Sequence, residues 1–277
     1  DRTIPTVGFD EGAEQILDYG QRQFTLLLDT NMKLILRNAD GKVIKSLPAA
    51  RKTEDPEQIK TTKKQLSTVK KQLKEVLKMQ RERLYEAMCT QRSWQFADWA
   101  LNLNQHPIVG RYCQQLVWVI YDQNNVLLQT FRPLEDRTLT DVEDDEVTPD
   151  PAAVVRLAHS CHLSTDTIES WQTHFADYDV TPLLQQFRPS GYVLSKDKQT
   201  GTKLDDFKGY LINAFQLRSL ATKQNYIRGP IEDGGCFYSY NKRFAGLGIE
   251  VVLNFSGNYV PEENHSVALQ ELAFEKL

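Results

Sequence analysis

Residues 55–89 contain no glycine, and their single proline is the second residue, so almost nothing in this stretch interrupts a helix. At 100° per residue, Ile59, Leu66, Val69, Leu73, Val76, Leu77, Leu84, Ala87 and Met88 fall in one apolar stripe. Pro56 is tolerated in a first turn, and Asp55 before it is a natural N-cap. The spacing therefore predicts one amphipathic helix roughly 50 Å long. A rod of that length spans a domain or projects from it, and the rest of the chain must be arranged around it.

The charges on this helix are lopsided. From Arg51 to Leu84 there are 11 Lys+Arg against 5 Asp+Glu, a net +6 inside a chain of −4, so the remainder carries −10. Lys60, Lys64, Lys71, Lys74 and Lys78 share one side of the apolar stripe, and Lys63, Lys70 and Arg81 border it. Such a ridge meets an acidic protein surface, the phosphates of a nucleic acid, or only water while its stems cover apolar surface. The negative balance of the whole chain argues against a dedicated nucleic-acid binder.

The 277 residues, 40% hydrophobic and 25% charged, suit a soluble globular chain with a real core. No apolar run approaches the roughly 20 residues of a membrane helix, and no membrane partner is expected. Cys89, Cys113, Cys161 and Cys236 form no CxxC, which fits reduced thiols and a cytoplasmic location. The chain opens on Asp1, which reads as a piece cut from a longer protein.

Along the chain, a short helix is expected near residues 11–19, then a three-strand meander over 24–29, 32–37 and 42–47, divided by Thr30-Asn31 and Asn38-Ala39-Asp40-Gly41. After the long helix, Trp94, Phe96 and Trp99 leave its apolar phase, marking a bend or short helix over 93–101. A further helix follows His106-Pro107, and a hairpin spans 116–121 and 126–131. Residues 134–150 hold eight Asp+Glu against one Arg and read as an exposed excursion. A strand at 154–158, a helix at 166–176 capped by Ser164 or Thr165, and a short helix opened by Thr181-Pro182 come next. A helix over 213–224 precedes a second meander of 237–244, 248–255 and 267–274. The class expected is α+β, with antiparallel β-meanders near both ends packed around the long helix and several shorter ones. It is read as one domain over 1–277, with sub-lobes 1–133 and 151–277 joined by the acidic loop 134–150.

Tyr19-Gly20-Gln21-Arg22, the meander closing on Gly41-Lys42 and Lys45-Ser46-Leu47-Pro48, the Lys/Gln/Leu helix ending Gln80-Arg81-Glu82-Arg83-Leu84, His106-Pro107 and Leu116-Val117-Trp118 resemble the C-terminal domain of MolR-type proteins. Those are large bacterial proteins described as molybdate metabolism regulators, often with a WGR domain upstream. The resemblance covers nearly the whole chain and transfers no catalytic residue. It implies a domain at the end of a long cytoplasmic bacterial protein, linked to nucleic acid only through a WGR module that this chain lacks.

No motif forces a reaction. His159, Cys161, His162 and His174 are the nearest approach to a metal cluster, but their spacing fits no zinc module, and no metal site is assigned. Counting an EF-hand from Asp141 puts Glu146 and Ala152 where glycine and glutamate belong, so Asp141, Glu143, Asp144, Asp145 and Glu146 read as a solvated loop, or as a segment pairing with the lysine ridge. Arg228, Gly229, Asp233, Gly234 and Gly235 form a glycine loop that is a candidate phosphate cradle, although Glu232 and Asp233 carry the wrong charge. The four indoles, Trp94, Trp99, Trp118 and Trp171, read as core rather than as a stacking platform. No cofactor is expected. The leading expectation is a non-catalytic interaction or regulatory domain. It docks an acidic protein surface, or other domains of its own chain, on Lys60, Lys64, Lys71, Lys74 and Lys78. The alternatives are nucleic-acid contact through the same ridge and an enzyme with its site near 228–235 or 159–174.

Overall fold

The Asp55 side chain accepts the Glu57 N–H at 3.0 Å, and the chain then coils for 35 residues as α1 (Pro56–Thr90), with Pro56 in the first turn. Gln91, in the left-handed region at φ 52, ends the helix, and its side chain donates to Met88 O at 2.8 Å. The expected stripe is buried except for Leu77, which is half-buried. Two polar residues complete it. Thr62 donates to Asp18 O at 2.6 Å, and Gln80 accepts from Arg83 at 3.1 Å.

The computed structural model describes residues 1, 3–187, 194–232 and 234–277. It divides into two compact units, Asp1–Gly191 and Tyr192–Leu277. The first contains β1 (Glu14–Asp18), β2 (Gln23–Leu28), β3 (Leu34–Arg37), β4 (Val43–Ile44), α1, β5 (Trp94–Gln95), α2 (Phe96–Trp99), a π-helical turn (Ala100–Asn104), α3 (Val109–Cys113), β6 (Trp118–Tyr121), β7 (Leu127–Pro133), β8 (Leu139–Thr140), β9 (Val154–Leu157) and α4 (Thr165–Asp177). The second contains β10 (Lys203–Leu204), β11 (Leu211–Asn213), α5 (Ala214–Lys223), β12 (Ile227–Arg228), β13 (Cys236–Phe244), β14 (Ile249–Tyr259) and β15 (Ser266–Lys276). The class is α+β, built on antiparallel sheets.

Strands β1–β4 form one antiparallel sheet in sequence order, with Leu17 opposite Phe24 and Leu26 opposite Leu36. Its buried side chains join the stripe of α1 in the main core. The short helix expected near 11–19 is instead β1. Ala13, Leu17 and Tyr19 are buried at a strand's two-residue period, while the polar Gln15 breaks the apolar alternation in the sequence.

The second sheet of this unit runs β5-β9-β6-β7-β8. Alternation along β6 sends Trp118 and Ile120 into the main core with Trp94 and Trp99, and Val119 and Tyr121 to the opposite face, where Trp171 and Phe175 of α4 cover them. All four indoles are buried. Ser164 caps α4 by accepting the Thr167 N–H at 3.2 Å. The helix expected from Thr181-Pro182 does not form, because these residues pair with other segments. Leu183 N–H reaches Gln115 O at 3.2 Å, and the buried Gln186 side chain donates to Val117 O and Ala158 O and accepts from Val117 N–H.

The second unit is ordered β10-β15-β14-β13-β12, with β11 also on β15. Asn213 caps α5 through the Phe215 and Gln216 N–H groups, and Leu217 and Ala221 pack against Phe237, Tyr240, Phe255 and Val267. The division along the chain thus falls after residue 191. The acidic segment 134–150 lies inside the first unit, where Leu139 and Thr140 pair with β7.

Candidate functional site

Lys60, Lys64, Lys71, Lys74 and Lys78 are all exposed on α1. Lys60 lies 3.7 Å from Glu57; among the described residues the other four form no ion pair. At 1.5 Å per residue the ridge is about 27 Å long. Lys74 has Lys70, Lys71 and Lys78 at its i−4, i−3 and i+4 positions, with no acidic residue at any of them. Each such like-charge pair costs a helix about 0.2–0.5 kcal/mol.

The acidic loop does not supply the missing counter-charge. Asp141 accepts the N–H groups of Glu143 and Asp145 at 2.9 and 3.0 Å, folding residues 141–146 back toward α4. There the Asp144 carboxylate accepts Tyr178 Oη–H at 2.6 Å and lies 3.8 Å from His174 Nδ1. Buried Arg132 stands behind it, donating to Gln114 O at 3.1 Å, with its guanidinium 5.8 Å from the Phe175 ring and 6.0 Å from that of Tyr178. Burial pulls the Arg132 pKa down, against the charge of Asp144. Burial, then the Arg132 charge, lowers that of His174, against the pull of Asp144. The hydrogen bond to Asp144 holds Tyr178 above its ordinary value. Among the described residues, Arg132 Nε and His174 Nε2 are buried without a partner. His174 is only 4% exposed, and with Asp144 and Tyr178 it forms an internal latch for the loop.

The other candidate metal ligands are elsewhere. His159 Nδ1 accepts the Cys161 N–H at 3.1 Å, and the His159 and His162 rings are 6.3 Å apart, while His174 belongs to the latch. Among the described residues no three His, Cys, Asp or Glu side chains converge as a metal set. In the second unit, Arg228 Nη1 is 3.9 Å from Glu262, a carboxylate shared with Arg218 at 3.2 Å. A Cβ on Gly229 would come within 2.1 Å of Ser239 Oγ, so this glycine permits a close strand approach. Gly234 and Gly235, at φ +86 and +80, turn the chain, and Asp233 lies outside the described residues. The residues missed from the sequence are Arg132 and Tyr178. No motif signals them, because their partner Asp144 reads as one of many loop acids.

Among the described residues no helix is long and apolar enough to cross a membrane. The family model described as "Domain of unknown function (DUF4132)" matches residues 41–226. The chain is also 27% identical over 227 residues, 80% of its length, to "Uncharacterized protein YehI" of Escherichia coli (strain K12). It spans 19% of that relative's length. No solved structure matches. The chain belongs to the DUF4132 family. This corrects the resemblance to MolR-type, WGR-associated regulators, since neither match points to that domain. The long Lys/Gln/Leu helix and the meander turns that suggested it are structural features and carry little family information.

Proposed function

We propose that this DUF4132 domain is a non-catalytic, cytoplasmic protein-interaction module whose α1 lysine ridge captures an acidic protein surface. One observation carries the reading: Lys74 faces three lysines at helical neighbour positions and no acid, although the rest of the chain has ample carboxylates. A helix that accepts this repulsion gains it back when an acidic surface arrives. In the acidic loop, Asp144 is already engaged by Tyr178 and His174.

The test is fluorescence anisotropy of labelled poly-glutamate, DNA and RNA with the 277-residue protein, across a salt series. The reading expects poly-glutamate to bind and a Lys64→Glu, Lys71→Glu, Lys74→Glu variant to lose that binding with its circular dichroism unchanged. Binding to DNA or RNA alone, falling steeply with salt, would assign the ridge to phosphate contact instead. Absence of binding to all three would overturn both uses of the ridge.

A further inference from the structure

The first unit contains a cavity of about 370 Å³ that no residue motif marks. Its walls are the Glu11–Gly12 turn ahead of β1, Asn104 at the end of the π-helical turn, α3, and the turn between β7 and β8. A volume of that order suits a small metabolite. It lies on neither the lysine ridge nor the Asp144 latch.

The wall carries unused hydrogen-bonding capacity. Arg111 has only 14% of its side chain exposed, yet its contacts are long: Gly12 O at 3.5 Å and Glu135 at 3.7 Å, the latter from a carboxylate 76% exposed. A guanidinium has five N–H donors and matches a carboxylate through two of them. Gln114, one helical position beyond α3 and 7% exposed, has no side-chain hydrogen bond among the described residues. Asn104 donates to Arg137 O at 3.2 Å, but its buried Oδ1 has no partner among the described residues. A buried amide oxygen is rarely left so, and together with the long contacts of Arg111 it leaves this wall ready for an occupant.

The neighbouring histidine adds no chemistry. Ile4 O can only accept, so His106 Nε2–H donates to it at 3.1 Å, while Nδ1 accepts the Ile108 and Val109 N–H groups at 3.1 and 3.2 Å. Burial holds its pKa below the ordinary value. A ring with both nitrogens engaged builds the wall and moves no proton. Glu11, Glu135 and Asp136 outnumber Arg111 and Arg137 around it, which repels a phosphate and suits a ligand carrying both signs.

We infer that this cavity binds a small zwitterion of the amino-acid class, its carboxylate on Arg111, its ammonium toward the acidic rim, and Gln114 fixing its orientation. The experiment is thermal-shift measurement and isothermal titration calorimetry on the 277-residue protein with individual amino acids at millimolar concentration. Acetate, methylammonium and inorganic phosphate serve as controls. At least one amino acid is expected to raise Tm and give saturable heat, with the controls silent. Arg111→Met and Gln114→Leu should each weaken that binding roughly tenfold or more. If Arg111→Met fails to fold, Gln114→Leu decides. Absence of binding by every amino acid, binding by phosphate in their place, or unchanged affinity in Gln114→Leu would overturn the assignment. The Lys64, Lys71, Lys74 triple variant should bind as the parent does, because the ridge lies apart from the cavity walls.

Discussion

Arg22 grips Glu54 at two points, Nε to Oε1 at 2.6 Å and Nη2 to Oε2 at 2.8 Å, across 32 residues of sequence. The same carboxylate accepts the Arg51 N–H at 2.7 Å, and Arg22 donates again to Ala49 O at 3.0 Å. The pair ties the β1–β2 turn to the segment that launches α1, with the Glu54 side chain fully buried. It is the fixed point from which the long helix sets out.

This pair makes the fold acid-sensitive in a defined window. The hydrogen bond from Arg22, then that from the Arg51 N–H, lowers the Glu54 pKa from 4.5 to about 2. A depressed carboxylate stabilises the fold above its unfolded pKa and loses that contribution as pH falls toward the folded one. Thermal midpoints should therefore drop as pH falls from 4.5 toward about 2. Glu54→Gln should lower the midpoint at neutral pH and flatten that acid limb. A parallel drop in parent and variant would refute the role of the pair.

His174 acts in a second, higher window. Burial first, then the Arg132 charge, lowers its pKa from 6.5, while Asp144 and Asp177 oppose the shift and Tyr178 packs against the ring at 4.7 Å. The unfolded chain then takes up this proton before the folded one does. Stability is full above pH 6.5 and declines as pH falls below it. His106, lowered by burial as well, adds to the same window. His174→Leu should remove part of the decline just below pH 6.5 and leave the Glu54 limb intact, as read from thermal midpoints across that range.

Gln186 serves as a short piece of strand. Its side chain accepts the Val117 N–H at 2.9 Å and donates to Val117 O and Ala158 O at 2.8 and 2.9 Å. Gln186→Leu keeps the bulk and strands buried main-chain groups, so it should cost about 2–4 kcal/mol, read as a lower urea midpoint at unchanged slope. A loss under half a kilocalorie would mean that water replaces the amide.

These sites show where sequence reading stops. The limits of α1 were legible because Asp55, Pro56 and a 3.6-residue stripe are local signals. Thr62 and Gln80 were not, since their burial depends on Asp18 O and Arg83. Thr181-Pro182 resembles a helix start, and only the distant Val117 and Ala158 show why that segment stays unwound. The acidic run at 134–150 looks like a boundary by composition, yet Asp141 and Asp144 fold it onto the first unit. The cavity beside Arg111 joins turns about 100 and 25 residues away along the chain, and nothing local announces such a meeting.

Lys74 offers the sharpest test of why the ridge exists. Reversing its charge turns three like-charge pairs, with Lys70, Lys71 and Lys78, into three attractive ones. Lys74→Glu should therefore stabilise the protein by about 1 kcal/mol at low salt, and the gain should shrink as salt screens the pairs. The same substitution should weaken capture of poly-glutamate. A residue whose replacement strengthens the fold and weakens binding is held for binding. If Lys74→Glu leaves the unfolding midpoint unchanged at low salt, solvent already relieves the repulsion, and the arrangement of the lysines ceases to argue for a partner.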